Sequence, residues 1–355
     1  MKIASIVGAR PQFIKAAPVS RALRQAGHQE FLIHTGQHYD HEMSQVFFQQ
    51  LSIPEPDVNL GIGSGSHGQQ TGRMLALIEG VIKEQSPEYV IVYGDTNSTL
   101  AGALAAAKLH IPVAHVEAGL RSFNKRMPEE INRVMTDHIS DLLLCPTKTA
   151  VNNLEREGIL RNVYLVGDVM HDAVLYYMHL AENNTDILKK MNLVAKSYAL
   201  ATVHRAENTD DSDRLHSIFC AFERINENGL TLLLPLHPRT QHRLNSMGRL
   251  SNGIRSMPPV SYLEMLILEK HARVIITDSG GMQKEACWLG VPCVTLRNET
   301  EWVETVDSGW NVLVGSDPDR IVRTVKEAEP KEKCKDLYGD GRASQRIAEL
   351  FSSSK

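Results

Sequence analysis

The chain alternates short apolar runs with longer stretches whose apolar residues recur at helical spacing. In the first half, these runs predict strands at residues 2–7, 31–34, 89–93, 113–116, 141–145 and 162–166. Between them, the spacing predicts helices at residues 11–25, 70–85, 97–108, 128–139 and 147–157. Strands that alternate with helices predict a parallel sheet covered by helices on both faces.

The same alternation restarts in the second half, with predicted strands at residues 198–203, 231–234, 274–277 and 293–296. A polar AENNTD stretch within residues 166–192 separates the two halves. We therefore predict an α/β protein with two Rossmann-like domains facing a cleft, at residues 1–168 and 169–355, with the last helix packing back on the first domain. Ligands bind beyond the carboxyl ends of parallel strands, so residues at those ends are the candidates for function.

Composition and charge narrow the possible partners. The 355 residues include 38 basic and 42 acidic ones, a formal charge of −4, so no broad basic field exists for nucleic acid or an anionic membrane. No apolar run is long enough for a transmembrane helix, and the amino terminus does not read as a signal peptide. The five scattered cysteines contain no C-x-x-C pair and indicate neither a disulfide framework nor a zinc site. We expect a cytoplasmic protein.

The loop after the first strand suits a phosphate. It leads from Gly8 into a helix, and the free amide groups of a helix start favour an anion. Arg10 and Lys15 lie where both can reach a phosphate. They also fit an ordinary strand–helix turn with two solvated cations, so both interpretations stay open.

Carboxylates follow two further strands of the first domain and open a helix beside them. Asp95 suits either catalysis or helix capping. Glu117 continues an apolar strand, where a buried carboxylate needs a function or a partner, and Arg121 is the candidate partner. Glu129 and Glu130 also fit simple complementation of a helix dipole. Because these acids converge at one edge of one sheet, they predict proton transfer at carbon.

The second domain carries candidate phosphate ligands at its strand ends. His204 and His237 each follow a predicted strand and suit a structural role, an acid or a phosphate contact. The Ser-Gly-Gly sequence at 279–281 ends a strand and opens a helix, so the backbone can approach a diphosphate closely. Glu285, about one turn further, suits the two hydroxyls of a ribose.

Two weaker patterns predict no cofactor. Residues 63–68 match G-x-G-x-x-G, but the preceding segment has two prolines and no apolar strand run, so nicotinamide binding is not predicted. His34, His38 and His41 are close in sequence but form no strong metal-binding constellation with acids or cysteines. We therefore predict neither a nicotinamide cofactor nor a metal.

Taken together, the motifs resemble the non-hydrolysing UDP-N-acetylglucosamine 2-epimerases. The matching segments run in family order from residue 3 to about 350: GARPQFIK (8–15), TGQHYD (35–40), GDTNSTLAGALAA (94–106), VEAGLRS (116–122), PEEINR (128–133), HRAEN (204–208), TDSGGMQKEA (277–286) and RNETEWVE (297–304). The resemblance implies a glycosyltransferase-B type fold, a homodimer, and an isomerase that works without NAD. It also implies that a base removes the C2 proton, UDP leaves to give a 2-acetamidoglucal, and UDP then adds back as C2 is protonated on its other face.

The resemblance also implies roles for single residues. The implied catalytic set is Asp95, Glu117, Glu129 and His204, and Glu129 is favoured over Glu130. The implied substrate- and UDP-binding set is Arg10, Lys15, Arg205, His237, Val260, Ser279, Gly280, Gly281 and Glu285. Within it, residues 279–281 hold the diphosphate, Glu285 holds the ribose, and the loop around Val260 contacts uracil. Which carboxylate is the base and which the acid stays open.

Two motifs depart from many bacterial members of that family. The chain has Ala206 in its H-R-A-E motif, where many have arginine, and Trp302 in T-E-W-V-E, where many have a cation. Both variants resemble a subgroup that includes 2-epimerases of UDP-2,3-diacetamido-2,3-dideoxyglucuronate. The predicted conversion is UDP-GlcNAc to UDP-ManNAc. That uronate is one alternative substrate, and a hydrolysing relative that releases ManNAc and UDP is another alternative.

Two other classes of protein share the predicted fold. A glycosyltransferase would need an acceptor and would not exchange the C2 proton. A non-catalytic nucleotide-sugar sensor would keep residues 279–281 but would not need Glu117 and Glu129.

Overall fold

The computed structural model describes residues 1–37, 55–236, 254–330 and 337–353. The chain divides into two compact units. The first unit contains Met1–Leu175 and Tyr338–Lys355, and the second contains Tyr176–Leu337. The division falls inside a helix in the region that the sequence marks as the junction.

The first unit is built on a seven-stranded parallel sheet. Its strands are β1 (Lys2–Val7), β2 (Gln29–His34), β3 (Val58–Asn59), β4 (Tyr89–Tyr93), β5 (Val113–Val116), β6 (Leu142–Cys145) and β7 (Val163–Leu165). They lie in the order β3-β2-β1-β4-β5-β6-β7. The strand order reverses between β1 and β4, and this switch point is where open α/β sheets bind ligands.

Helices cover both faces of this sheet. They are α1 (Arg10–Gln25), α2 (His67–Gln85), α3 (Asn97–Lys108), α4 (Pro128–Ile139), α5 (Lys148–Arg156), the first part of α6 (Val169–Asn184) and the carboxyl-terminal α14 (Ala343–Ser353). The small residues of α3 allow it to lie close to the sheet. A Cβ on Gly102 would be only 2.7 Å from Cδ1 of Ile6. This close packing holds the start of α3 beside the end of β4.

The second unit repeats the architecture with a six-stranded parallel sheet. Its strands are β8 (Tyr198–Thr202), β9 (Thr231–Pro235), β10 (Arg255–Met257), β11 (Val274–Thr277), β12 (Cys293–Thr295) and β13 (Asn311–Leu313), in the order β10-β9-β8-β11-β12-β13. The switch point lies between β8 and β11, where Thr202 is in register with Thr277.

Its described helices are α7 (Ile187–Lys190), α8 (Ala206–Thr209), α9 (Ser212–Glu227), α10 (Tyr262–His271), α11 (Gly280–Leu289), α12 (Val303–Asp307) and α13 (Pro318–Glu327). One apolar core packs α9 and α13 against the sheet, with Phe222 fully buried. A separate core contains Leu268 of α10 and Ala286 of α11. The predicted fold class, two parallel-sheet α/β domains, is confirmed.

Most predicted strands occur within a residue or two of their predicted bounds, and α3 and α4 begin and end as predicted. The short strands β3, β10 and β13 were not predicted, because two or three residues carry too little periodicity. The predicted polar junction is largely the helix α6.

Two further findings concern the chain as described. No helix in the described ranges combines the length and the apolarity needed to cross a membrane. Cys145, Cys220 and Cys293 are free thiols. Cys287 is disulfide-bonded, a pairing that the sequence pattern did not indicate.

Candidate active site

The loop after β1 packs tightly against its neighbours. A Cβ on Gly8 would lie 2.0 Å from Oγ1 of Thr35 and 2.2 Å from Oγ of Ser98, so only glycine fits. The amides of Gly8 and Ala9 both donate to Oε1 of Gln12, at 2.8 and 3.0 Å. These two amides, which precede the helix, are therefore already satisfied within the loop. Arg10 opens α1, and its side chain lies outside the described part of the structure.

Glu117 forms an ion pair with Lys15, and both side chains are largely buried. The pair lies against Gly94, where a Cβ would be 3.2 Å from Nζ of Lys15 and 3.3 Å from Oε2 of Glu117. Glu117 has a φ of 75°, a left-handed conformation that is rare for a residue with a side chain. Strained backbone of this kind clusters at functional sites.

Arg121 is not the partner of Glu117, which corrects the structural alternative drawn from the sequence. Its guanidinium donates to Asp137 at 2.6 Å and to both carboxylate oxygens of Glu157 at 2.7 Å. The hydrogen bond from Arg121 lowers the pKa of Glu157 below its usual value. Arg121 is therefore a buried structural cation beside the site.

Asp95 follows β4 and is held by α4. Its carboxylate accepts from Nε of Arg133 at 3.1 Å and also from Nη2 of the same guanidinium. Its backbone carbonyl accepts from Nδ2 of Asn132 at 2.9 Å. The side chain stays 29% exposed, so the paired carboxylate remains accessible to a ligand.

The two glutamates at the start of α4 have different environments. Glu130 is buried and accepts from the backbone amides of Ser122 and Phe123, from the Ser122 hydroxyl and from Arg133, at 2.8–2.9 Å. Glu129 is exposed, and it has no hydrogen bond or ion pair to any other described residue. Glu130 therefore holds the preceding loop, and Glu129 is the member of the pair whose carboxylate is available.

In the second unit, Asp278 organises the loop that carries His204. Its buried carboxylate accepts from the backbone amides of His204 and Arg205, at 3.0–3.2 Å, and from Nδ2 of Asn208 at 3.1 Å. It also lies 3.2 Å from Nδ1 of His204, whose side chain is half exposed. Asp278 thus orients the ring. No role was predicted for Asp278 from the motif at residues 277–286, in which it lies.

The Ser-Gly-Gly segment begins α11, as predicted, with Ser279 as its N-cap residue. Gly280 is required by close packing, since a Cβ there would lie 2.7 Å from Oε1 of Glu301 and 3.0 Å from Nε1 of Trp302. The ammonium group of Lys284 lies 3.6 Å from the centre of the Trp302 ring. A buried cation thus lies behind this loop although Trp302 itself carries no charge. Glu301 also lies 3.8 Å from Nη2 of Arg205.

Glu285 is buried, and its Oε1 accepts from the Tyr262 hydroxyl at 2.9 Å. Burial and the charge of Glu285 raise the pKa of Tyr262 well above its usual value. Burial and the same charge raise the pKa of Glu269, whose two carboxylate oxygens have no partner among the described residues. Val260 is half-buried and packs against the core that contains α10.

Some candidate residues lie outside the described ranges, and one residue near the site had no predicted role. His237 and the pair His38 and His41 lie outside the described residues. His115 was missed, because a histidine on a buried strand reads as core. Its Nδ1 lies 2.7 Å from Asp137 and its Nε2 lies 2.7 Å from the carbonyl oxygen of Gly94. Among the described residues, no group of three or more histidines, cysteines and acids is arranged to hold a metal.

Comparisons with known proteins point to one family. A family model described as UDP-N-acetylglucosamine 2-epimerase matches residues 21–352. A UDP-2,3-diacetamido-2,3-dideoxy-D-glucuronate 2-epimerase of Pseudomonas aeruginosa is 52% identical over 99% of both chains. The solved structure of the Methanocaldococcus jannaschii UDP-GlcNAc 2-epimerase, in complex with UDP-GlcNAc and UDP, has a TM-score of 0.94 with 46% identity over 100% of both chains. A spinosyn rhamnosyltransferase with a TM-score of 0.53, 11% identity and 99% of this chain and 96% of its own covered shares the fold alone.

Proposed function

The chain belongs to the UDP-N-acetylglucosamine 2-epimerase family, and from this we propose that it epimerises a UDP-N-acetylhexosamine at C2. The proposed conversion is UDP-GlcNAc to UDP-ManNAc, reversibly and without a cofactor. The observation that carries the proposal is the grouping of acids and a cation around Gly94. Glu117 and Lys15 contact this glycine, and Asp95 follows it directly in the chain.

The first half of the reaction is an elimination. A carboxylate of the set Asp95, Glu117 and Glu129 takes the C2 proton, and the electrons of the C2–H bond form a C1=C2 double bond. The C1–O bond breaks, and UDP leaves with the bonding pair. Lys15 supports the site electrostatically, because a cation stabilises negative charge that develops near it. Arg133 holds the Asp95 carboxylate in place through its Nε and Nη2 donors.

The second half reverses these steps with the opposite stereochemistry at C2. UDP adds back to C1 of the 2-acetamidoglucal, and a carboxylic acid delivers a proton to the other face of C2. The exposed Glu129 is free of competing partners among the described residues, which suits a group that must exchange its proton. The sum of both halves is redox-neutral, so the reaction itself requires no nicotinamide cofactor.

We assign UDP retention to the second unit. The amides at the start of α11 suit a diphosphate, because the first turn of a helix leaves N–H groups without intrahelical partners. Arg205 and His204 are further candidate contacts for the diphosphate, and Glu285 is proposed to accept from the ribose. We further propose a cytoplasmic homodimer, on the ground of the family resemblance. Light scattering coupled to size exclusion measures that state.

The test is proton NMR of the purified protein with UDP-GlcNAc in D₂O, without NAD or metal. We expect loss of the C2 proton signal and growth of UDP-ManNAc. Release of free ManNAc with UDP would identify a hydrolysing enzyme instead. No exchange and no product with UDP-GlcNAc would reject that substrate.

A second substrate is supported by one comparison. The chain is 52% identical to a UDP-2,3-diacetamido-2,3-dideoxyglucuronate 2-epimerase and 47% identical to the M. jannaschii UDP-GlcNAc 2-epimerase. A Methanococcus maripaludis protein described as a UDP-GlcNAc 2-epimerase homolog is 53% identical, so identity alone does not choose between the substrates. The same NMR experiment with that uronate compares the two substrates directly through kcat/KM. The larger kcat/KM identifies the preferred one.

A further inference from the structure

His115 lies beneath the candidate acids and uses both of its ring nitrogens. The ring is fully buried on β5. Nδ1 is 2.7 Å from Oδ1 of Asp137, and Nε2 is 2.7 Å from the carbonyl oxygen of Gly94. A carboxylate and a carbonyl are both hydrogen-bond acceptors, so each ring nitrogen of His115 faces an acceptor.

The buried ring belongs to a network of hydrogen-bonded side chains. Burial alone raises the pKa of Asp137, but the interactions with His115 and Arg121 outweigh it and hold that pKa below its usual value. Arg121 in turn binds Glu157 through two nitrogens. Each of the four side chains is therefore hydrogen-bonded to another member of the network.

This network holds two loops at once. Through Nε2, His115 fixes the carbonyl of Gly94, which has a φ of 62° and precedes Asp95. Through Oδ2, Asp137 accepts from the amide of Gly119 at 3.1 Å and so fixes the turn that begins with Glu117. Gly119 has no room to shift toward α5, since a Cβ there would lie 2.3 Å from the carbonyl oxygen of Ala150.

We propose that His115 and Asp137 are positioning residues that set the spacing between the loop carrying Asp95 and the turn carrying Glu117. The role rests on the proposed epimerase function. Neither residue transfers a proton to the sugar. Their contribution is to keep the candidate acids in register with C2, where a displacement of about 1 Å can cost about 100-fold in rate.

Two variants test the role. His115→Gln keeps an amide that can bond to Gly94 or to Asp137, but not to both. The double variant His115→Gln with Asp137→Asn replaces both partners together, and Arg121 keeps Glu157 as its partner. This protects the fold if the single variant leaves Asp137 poorly compensated. Thr136→Val is the matched control, because its buried hydroxyl lies next to Asp137 on α4 and has no partner among the described residues.

The readout is the distribution of solvent deuterium at C2 between recovered substrate and epimer, measured by NMR together with kcat and KM. This ratio does not depend on how much enzyme is folded. We expect kcat to fall about 10- to 100-fold with KM within about twofold, and the ratio to change about threefold or more. Thr136→Val is expected to match the wild-type protein in all three.

Three results contradict the proposal in different ways. An unchanged deuterium ratio, with normal kcat per folded molecule in both variants, would overturn the positioning role and leave the epimerase function intact. A rise in KM with unchanged kcat would assign the residues to binding instead. Absence of any exchange in the wild-type protein with either UDP-sugar would overturn both the epimerase function and the role, which then has no reaction to serve.

Discussion

The carboxylate of Glu117 is paired with the ammonium group of Lys15 directly against the Cα of Gly94. The pair joins the end of β5 to the second turn of α1. Glu117 reaches this position only from a left-handed backbone conformation, which costs about 1–3 kcal/mol for a residue of its kind. The native state thus holds the Glu117 carboxylate beside Lys15 at a cost in free energy of folding.

Gly94→Ala should lower kcat strongly and the free energy of unfolding only modestly. The new methyl group would crowd the Lys15–Glu117 pair at 3.2 and 3.3 Å, and alanine is strained at a φ of 62°. We expect kcat to fall at least about 10-fold and stability to fall about 1–2 kcal/mol. Gly158→Ala is the control, because its φ is 81° and a Cβ meets nothing within 4 Å. Equal losses of kcat in both variants, measured beside thermal unfolding, would contradict the prediction.

The adjacent glutamates of α4 should respond oppositely to amide substitution. Glu129→Gln removes an exposed carboxylate that makes no structural bond to the described residues, so kcat should fall about 100-fold without loss of stability. Glu130→Gln replaces a buried carboxylate with an amide whose NH₂ group would face the backbone N–H groups of Ser122 and Phe123. The free energy of unfolding should fall by about 3 kcal/mol. Urea unfolding and steady-state kinetics separate the two. A stable, inactive Glu130→Gln would reverse the assignment.

Asp278→Asn should weaken UDP binding. The asparagine amide cannot accept from all of the donors that Asp278 serves, so the loop with His204 and Arg205 loses its anchor. We expect Kd for UDP to rise about 10-fold or more, which corresponds to about 1.4 kcal/mol. Calorimetric titration with UDP measures it. Asp211→Asn is the control, since Asp211 only caps α9, and an equal rise in Kd there would point to general destabilisation.

The raised pKa of the buried Glu269 predicts that the free energy of unfolding declines as the pH rises. Its pKa in the folded protein lies well above the ordinary 4.5, because of burial first and then the charge of Glu285. The folded state therefore keeps a proton that the unfolded chain loses. The contribution is fully present below pH 4.5 and is lost as the pH rises toward the folded pKa.

Glu269→Gln should accordingly raise Tm relative to the wild-type protein at pH 8 and change it little at pH 4.5. Each kcal/mol corresponds to about 2–4 °C in a unit of this size. The exposed Glu349, substituted in the same way, should leave the pH dependence of Tm as it is. A difference in Tm that stays constant between pH 4.5 and pH 8 would refute the titration of Glu269.

Local patterns predict much of the fold and the location of the site. Strands such as β4 and β5 and helices such as α3 and α4 occur where the periodicity places them, since their apolar residues face one core. The strand-end rule then places Asp95, Glu117 and His204 on loops at the switch points. Both inferences rely on physics within one element or between neighbouring strands.

Hydrogen bonds and ion pairs between elements that are far apart in the sequence cannot be predicted from local patterns. Arg121 lies four residues from Glu117, yet Glu117 pairs with Lys15, 102 residues away. Local sequence does not tell Glu129 from Glu130. In the structure, the loop at Ser122 donates hydrogen bonds to Glu130. His115 reads as a core residue, because nothing in a fully buried strand indicates that Asp137 faces it.

The first unit is discontinuous along the chain, because α14 returns to it after the whole of the second unit. In α14, Phe351 packs its ring 5.2 Å from that of Tyr89, and Ser352 bonds to His28 at 3.1 Å. During synthesis the ribosome therefore releases the sheet of the first unit long before the helix that completes it. We expect a nascent chain of the first 175 residues to be protease-sensitive, and full resistance to arise only once α14 has left the ribosome.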